Sequence, residues 1–255
     1  MILAIDIGNL FLTAGCMDGR KLQHICRLSS ILSRTEYEYA SILRLVLEGD
    51  GVDCRMLEGA VIASAVPPLT GVLKAAVKLL CGVDALVVGA GLKTGLNILI
   101  DNPAQLGSDL VVGAVAALDA YEPPLLVVDM GTAIAFAVID GRSRYLGGAI
   151  VPGVGLSLEA LANGTSQLPK VPIEAPKSCI GTNTVDAIKS GAVFGTAALI
   201  DGLAARFEHE LGQILHVVAT GKVARVIVPY CTRDVTYDED LLLRGLAIIY
   251  EKNKK

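Results

Sequence analysis

The chain has 255 residues, with 22 Lys and Arg against 26 Asp and Glu and a formal net charge of −4. That length suits one large or two modest domains, and the slightly acidic balance gives no electrostatic footprint for nucleic acid or an anionic membrane surface. Apolar residues make up 53% of the chain, but Gly, Pro or a charge breaks each apolar run before the roughly 18 residues of a membrane span.

Met1-Ile2-Leu3-Ala4-Ile5 has no basic leader and reaches Asp6 at once, which reads as the first strand of a cytoplasmic protein rather than an export signal. Ile5-Asp6-Ile7-Gly8-Asn9 ends that strand in a tight glycine turn, and Asp18-Gly19 marks the next hairpin, so the chain opens with a β-meander. The spacing of Tyr37, Ile42, Leu45 and Val46 predicts a helix over 34–47, followed by a buried strand at 60–63. A helix over 69–80 closed by Gly82 and a strand at 85–88 continue the α/β alternation of a sheet with parallel pairs. The loop from Gly89 to Gly95 matches neither phosphate-loop pattern and reads as a connection. Ser108 or Asp109 is placed to cap a helix running to about Tyr121, which Glu122-Pro123-Pro124 breaks.

The second half repeats the first. Val128-Asp129-Met130-Gly131-Thr132 runs through an apolar stretch to Asp140-Gly141-Arg142, as Ile5 to Asn9 runs on to Asp18-Gly19-Arg20. Strands are predicted at 125–129, 134–139 and 145–151, then a short helix at 157–162, a long helix from Thr184 to about Phe207, a strand near Val217 and a closing helix at 241–250. The glycines from Gly147 to Gly155 suit either a tight strand-to-helix turn or a close approach to a ligand or another chain. The expectation is an α/β protein of two duplicated domains with mixed β-sheets, residues 1–121 and 122–255.

One Asp-x-Gly hairpin is ordinary turn chemistry. Two at equivalent points of a duplication are more informative, because each sets a carboxylate beside backbone amides freed by the glycine, and Asp6 and Asp129 together can hold a nucleotide and its cation. Asp109 reads both as a helix cap and as a base that accepts a substrate hydroxyl proton, the positioning that phosphoryl transfer demands. His24, His209 and His216 lie in unrelated contexts without a nucleophile motif, which sets triad chemistry aside. The six cysteines lie singly, with no C-x-x-C pair, and read as reduced thiols.

Over nearly the whole chain these motifs resemble, in order, those of the type III pantothenate kinases of the actin-like ATPase superfamily. The matching pieces are Asp6-Ile7-Gly8-Asn9, Arg34 to Tyr39, Ser64 to Leu69, Asn102-Pro103 through Gly107-Ser108-Asp109, Asp129 to Ala133, Gly147 to Gly153, Ile180 to Thr184 and Leu243 to Leu246. The resemblance implies an actin-like, ribonuclease H-like fold with a nucleotide cleft between two domains, and a cytoplasmic homodimer. It also implies ATP-dependent phosphorylation of pantothenate or a related small acid, the first step of coenzyme A synthesis, with Mg2+ and a monovalent cation, K+ or NH4+. By matching position, Asp6, Gly8, Asn9, Gly131 and Thr132 would surround ATP, Asp129 would ligate the monovalent cation, Asp109 would be the base, and Gly107, Asp109 and Thr184 would touch pantothenate.

Several positions depart from the family pattern. Leu110 stands where the family has an arginine suited to a substrate carboxylate, Ile100 where it has a tyrosine, and Leu10 where it has a threonine. Ala135 and Ala137 replace a Thr and an Asp, and Lys222 replaces a glycine. Arg142, Arg144 and Lys170 are candidate substitutes for the missing arginine. These departures also fit a kinase for a different small acceptor, or a paralogue that binds nucleotide or an acid ligand without turnover.

Overall fold

A computed structural model describes residues 1–254. The chain begins with β1 (Ile2–Ile7), β2 (Phe11–Asp18), β3 (Lys21–Ser29), α1 (Glu36–Gly49), β4 (Gly59–Ser64), α2 (Pro67–Cys81) and β5 (Ala85–Val87). The two-residue β6 (Asn97–Ile98), α3 (Ser108–Ala120), β7 (Leu125–Met130), β8 (Ala133–Ile139), β9 (Arg144–Pro152), α4 (Val154–Gly164) and α5 (Thr184–Leu211) follow. It closes with β10 (His216–Thr220), α6 (Ala224–Ile227), β11 (Val235–Tyr237) and α7 (Leu241–Asn253). Two compact units result: unit 1 takes Met1–Leu96, Asn102–Asp119 and the segment from Asp240 onward, and unit 2 takes Asn97–Asp101 and Ala120–Glu239. The chain passes from unit 1 to unit 2 between Asp119 and Ala120, and the closing helix α7 packs in unit 1.

Unit 1 is a five-stranded sheet of order β3-β2-β1-β4-β5, antiparallel across the meander and parallel from β1 to β5. Local chemistry sets the helix ends. Thr35 and Glu38 form a reciprocal capping box at the start of α1, and α2 begins at Pro67 and stops at Gly82 in the left-handed region, φ 75°. Alternation along the strands then divides the core. Leu3, Ile5, Leu12 and Ile62 face one way onto Tyr39, Leu43, Leu69 and Leu73 of α1 and α2. Ala4, Met17, Val61 and Ala63 belong to the opposite cluster, with Val112 and Val115 of α3 and Leu243, Leu246 and Ile249 of α7.

Unit 2 repeats the antiparallel meander in β7-β8-β9 and extends it with parallel pairs, in the order β11-β10-β7-β8-β9-β6. Its core joins Leu126, Val128, Phe136 and Val138 to Val193, Ala197, Ile200 and Ala204, a stripe at helical spacing on α5. By length and composition α5 could also cross a bilayer, with a mean hydropathy of 1.2 over its most apolar window. Its core stripe against the sheet takes up part of that apolarity, with 28% of the window buried. Both meanders and all the helices expected from periodicity are present, while β6, β11 and α6 were too short to carry a periodic signal.

Candidate functional site

In unit 1, Asp6 sits one residue from the end of β1, aligned with Thr13 of β2 and Ala63 of β4. The turn beyond it is closed by the Gly8 amide donating to the Phe11 carbonyl at 3.0 Å, and a Cβ on Gly8 would stand 3.0 Å from that same oxygen. Ser30 braces the turn from the next strand end, its hydroxyl donating to the Gly8 carbonyl at 2.7 Å and its amide to the Leu10 carbonyl at 3.0 Å. Asn9 and Leu10 are left exposed at the tip.

Asp109 is the second residue of α3, and neither it nor Ser108 is the cap that the sequence suggests. The helix already includes Ser108, and the Gly107 carbonyl accepts from the Val111 amide at 3.2 Å. The Ser108 hydroxyl bonds instead to Ser64, at the end of β4. A Cβ on Gly107 would meet Oδ1 of Asp109 at 2.3 Å, so the carboxylate is folded back against Gly107 and would have to swing aside for a larger residue there. Unit 1 thus brings Asp6 and Asp109 together. Desolvation, and after it the negative charge of Asp109, lift the Asp6 carboxyl from 3.8 to about 7. Asp6 is only partly buried by surface area, but the protein packed around it is dense enough for desolvation to lead.

In unit 2, Asp129 of β7 lies opposite Ala135 of β8 and Thr220 of β10. The Gly131 amide closes the turn onto the Ala133 carbonyl at 3.0 Å, and the Thr132 carbonyl accepts from the Gly153 amide at 2.9 Å. Two glycines press on this turn. A Cβ on Gly153 would stand 2.4 Å from the Gly131 and Thr132 carbonyls, and one on Gly221, at φ 91°, 2.6 Å from the Met130 carbonyl. The glycine cluster therefore serves a close approach, but Gly153 meets the protein's own turn. Lys222, directly after Gly221, is exposed, and the Ala135 and Ala137 departures are buried in β8.

Thr184 opens α5 but does not cap it; Asn183 does, its side chain accepting from the Asp186 amide. Beside this helix start lies a cavity of about 940 Å3, lined by nineteen residues that include Thr182, Thr184, Val154, Leu158, Ile188 and Leu199. None of the nineteen is ionisable, so Arg142, Arg144 and Lys170 do not line it, and Arg144 is committed to Asp140 through a two-pronged ion pair. Among the described residues no group of three or more His, Cys, Asp or Glu could hold a metal ion. All six cysteines are free, and burial pushes the Cys16 thiol up to about 12. The bracing by Ser30, Ser64 and Gly221 was not read from sequence; for Gly221 the available signal was a glycine directly after an apolar strand.

Residues 2–206 match the family profile described as type III pantothenate kinase. A protein named type III pantothenate kinase from Exiguobacterium sp. is 38% identical over 255 residues, the whole of both chains. One of the same name from Anaeromyxobacter sp. (strain K) is 41% identical over 254 residues, again with both chains covered in full. Among solved structures, a conserved putative Baf family transcriptional activator from Campylobacter jejuni superposes with a TM-score of 0.61 at 22% identity, over 99% of this chain and 98% of that one. A putative 2-dehydro-3-deoxygalactonokinase from Sinorhizobium meliloti gives 0.62 at 14% identity, over 98% of each chain. At these identities the structural likenesses speak for the fold alone.

Proposed function

The chain belongs to the type III pantothenate kinase family, and on that premise we infer that it transfers the γ-phosphoryl group of ATP to pantothenate, the first step of coenzyme A biosynthesis. The observation that carries the reading within the structure is that the Ser64–Ser108 bonds hold the start of α3, with Asp109, at the end of β4 beside the end of β1 that carries Asp6. In the proposed reaction Asp109 accepts the proton of the acceptor hydroxyl as its oxygen bonds to the γ-phosphorus and the bond to the β,γ-bridging oxygen breaks, releasing ADP. Asp6, Gly8 and Asn9 on the first turn and Gly131 and Thr132 on the second are assigned to the nucleotide. Gly107, Asp109 and Thr184 are assigned to the acceptor.

The carboxylates of Asp6 and Asp129 are hard oxygen donors of the kind that Mg2+ and K+ take. The divalent ion, when bound with ATP, neutralises charge on the transferring phosphoryl group. Asp129 is assigned to the monovalent cation, K+ or NH4+. The test is a coupled assay of ADP release with ATP, Mg2+ and pantothenate, run with and without potassium on wild type and Asp129→Ala. Potassium-dependent turnover that loses its cation response in the variant supports the assignment. No turnover at high pantothenate would defeat it.

A second reading concerns the acceptor. The cavity beside Thr184 has no ionisable lining, and Leu110 occupies the position of the family's arginine, which together favour a related acceptor whose far end is uncharged. Higher kcat/KM for a pantoyl amide than for pantothenate would establish it. Ile150, Leu156, Leu161, Ile180 and Val185 on β9, α4, α5 and the segment before α5 are large apolar side chains left exposed, which supports assembly as a homodimer; sedimentation at monomer mass would refute that. With ATP as phosphoryl donor, the reaction belongs in the cytoplasm.

A further inference from the structure

β4 outlasts its neighbour β5. The last backbone bond between them is the Val88 amide donating to the Ile62 carbonyl at 2.8 Å, and the paired register ends at Ile62 and Val87. Alternate residues of a strand direct their backbone groups to the same side, so Ser64 faces the way Ile62 does, beyond the end of β5. Ala65 faces the other way, its amide donating to the Ile7 carbonyl of β1 at 2.9 Å. The Ser64 amide and carbonyl therefore need a partner that the sheet does not supply, and an unpaired backbone group in partly buried surroundings is costly.

Ser108 serves both groups. Its Oγ accepts from the Ser64 amide at 3.0 Å and donates to the Ser64 carbonyl at 3.2 Å, across 44 positions of sequence. The Ser64 hydroxyl is engaged elsewhere, donating to the Val66 carbonyl and accepting from the Val66 amide, both at 3.1 Å, where α2 begins. We propose that Ser108 is a positioning residue whose hydroxyl stands in for a missing strand and fixes the first turn of α3, and with it the Asp109 carboxylate, against the end of β1 that carries Asp6. The linkage is short. Asp6 aligns with Ala63 and Ile7 with Ser64 in the parallel register, Ser64 holds Ser108, and Asp109 is the next residue. The inference rests on Asp109 being the base of the proposed kinase.

Misplacing a reacting group by about 1 Å can cost on the order of 100-fold in rate without loss of binding elsewhere. Ser108→Ala is therefore expected to lower kcat roughly 10- to 100-fold while the KM for ATP changes by less than about twofold. Ser108→Thr, which keeps an Oγ, should recover most of the loss. Rates are to be referred to the concentration of nucleotide-binding sites, so that misfolded protein does not count. A role in folding alone would leave kcat per site unchanged in Ser108→Ala, and that result would overturn the proposal. So would a parallel loss of kcat and ATP affinity, or a threonine variant no better than alanine. If Ser108→Ala fails to fold, Ser108→Cys keeps the side-chain shape with a weak hydrogen-bonding group and should show the same split between kcat and KM; wild-type kcat per site in that variant would overturn the proposal equally. A wild-type enzyme that transfers no phosphate to any pantoyl acceptor would instead defeat the functional reading on which the inference stands.

Discussion

Asp6 is held where its charged form is disfavoured, and that has a thermodynamic sign. Its folded value, raised from 3.8 to about 7, means that the folded state keeps a proton the unfolded chain has already released. The associated stability is fully present below the unfolded value and is lost as pH rises through the folded one. Asp6→Asn removes this dependence. Its unfolding free energy should exceed that of wild type by roughly 4 kcal/mol at pH 8, with the gap opening between about pH 4 and pH 7 and level above that. Urea unfolding across this range would show it; a pH-independent gap would place the cause outside the carboxyl. Asp109→Ala should act differently, lowering kcat by about 100- to 10,000-fold while nucleotide affinity by calorimetry stays near wild type. Equal losses of turnover and affinity would show that Asp109 serves the nucleotide.

Among the elements, the approach of α7 to α3 leaves no room for a side chain at Gly245. A Cβ on Gly245 would lie 2.2 Å from the Val112 carbonyl, and a helix backbone cannot yield as a side chain can. Gly245→Ala should destabilise unit 1 by roughly 1–3 kcal/mol and lower turnover as well, since the displaced α3 carries Asp109; an unchanged urea midpoint would contradict the packing. Most elements were legible in the sequence because their signals are local. Gly82 past the end of α2, the apolar run of β1 and the doubled Asp-x-Gly turns each act within a few residues. What stayed hidden was a choice between neighbours or was set by distant partners. Thr184 and Asn183 are both competent caps by type, and Ser108 looks like a helix cap until Ser64 is brought to it by the fold. Asp6 and Asp109 were each legible as candidate carboxylates, with Asp6 matched by sequence to Asp129, but the raised ionisation of Asp6 depends on packing that no spacing rule encodes.

For the whole molecule, the two units take nearly equal shares of the chain but not consecutive ones. α7 follows all of unit 2 in sequence but completes the core of unit 1, laying Leu243, Leu246 and Ile249 on the face that holds Ala4, Met17 and Val61. Its apolar pattern alone would suit either unit, which is why periodicity assigned the helix by nearness in sequence. Removing the chain from Asp240 onward should strip hydrogen-exchange protection from the β1 and β4 amides while those of β7 and β10 keep theirs. Protection lost equally from both sheets would show that the units do not unfold separately.

That connectivity also orders events on the ribosome. The meander of β1 to β3 is made first, and every residue of unit 2 is translated before α7 emerges. Until then the nascent sheet holds Ala4, Met17 and Val61 without their final cover, the kind of exposed apolar surface that chaperones engage in partly made chains. Unit 2 can close during synthesis, whereas the unit that carries Asp6 and Asp109 is begun first and sealed last.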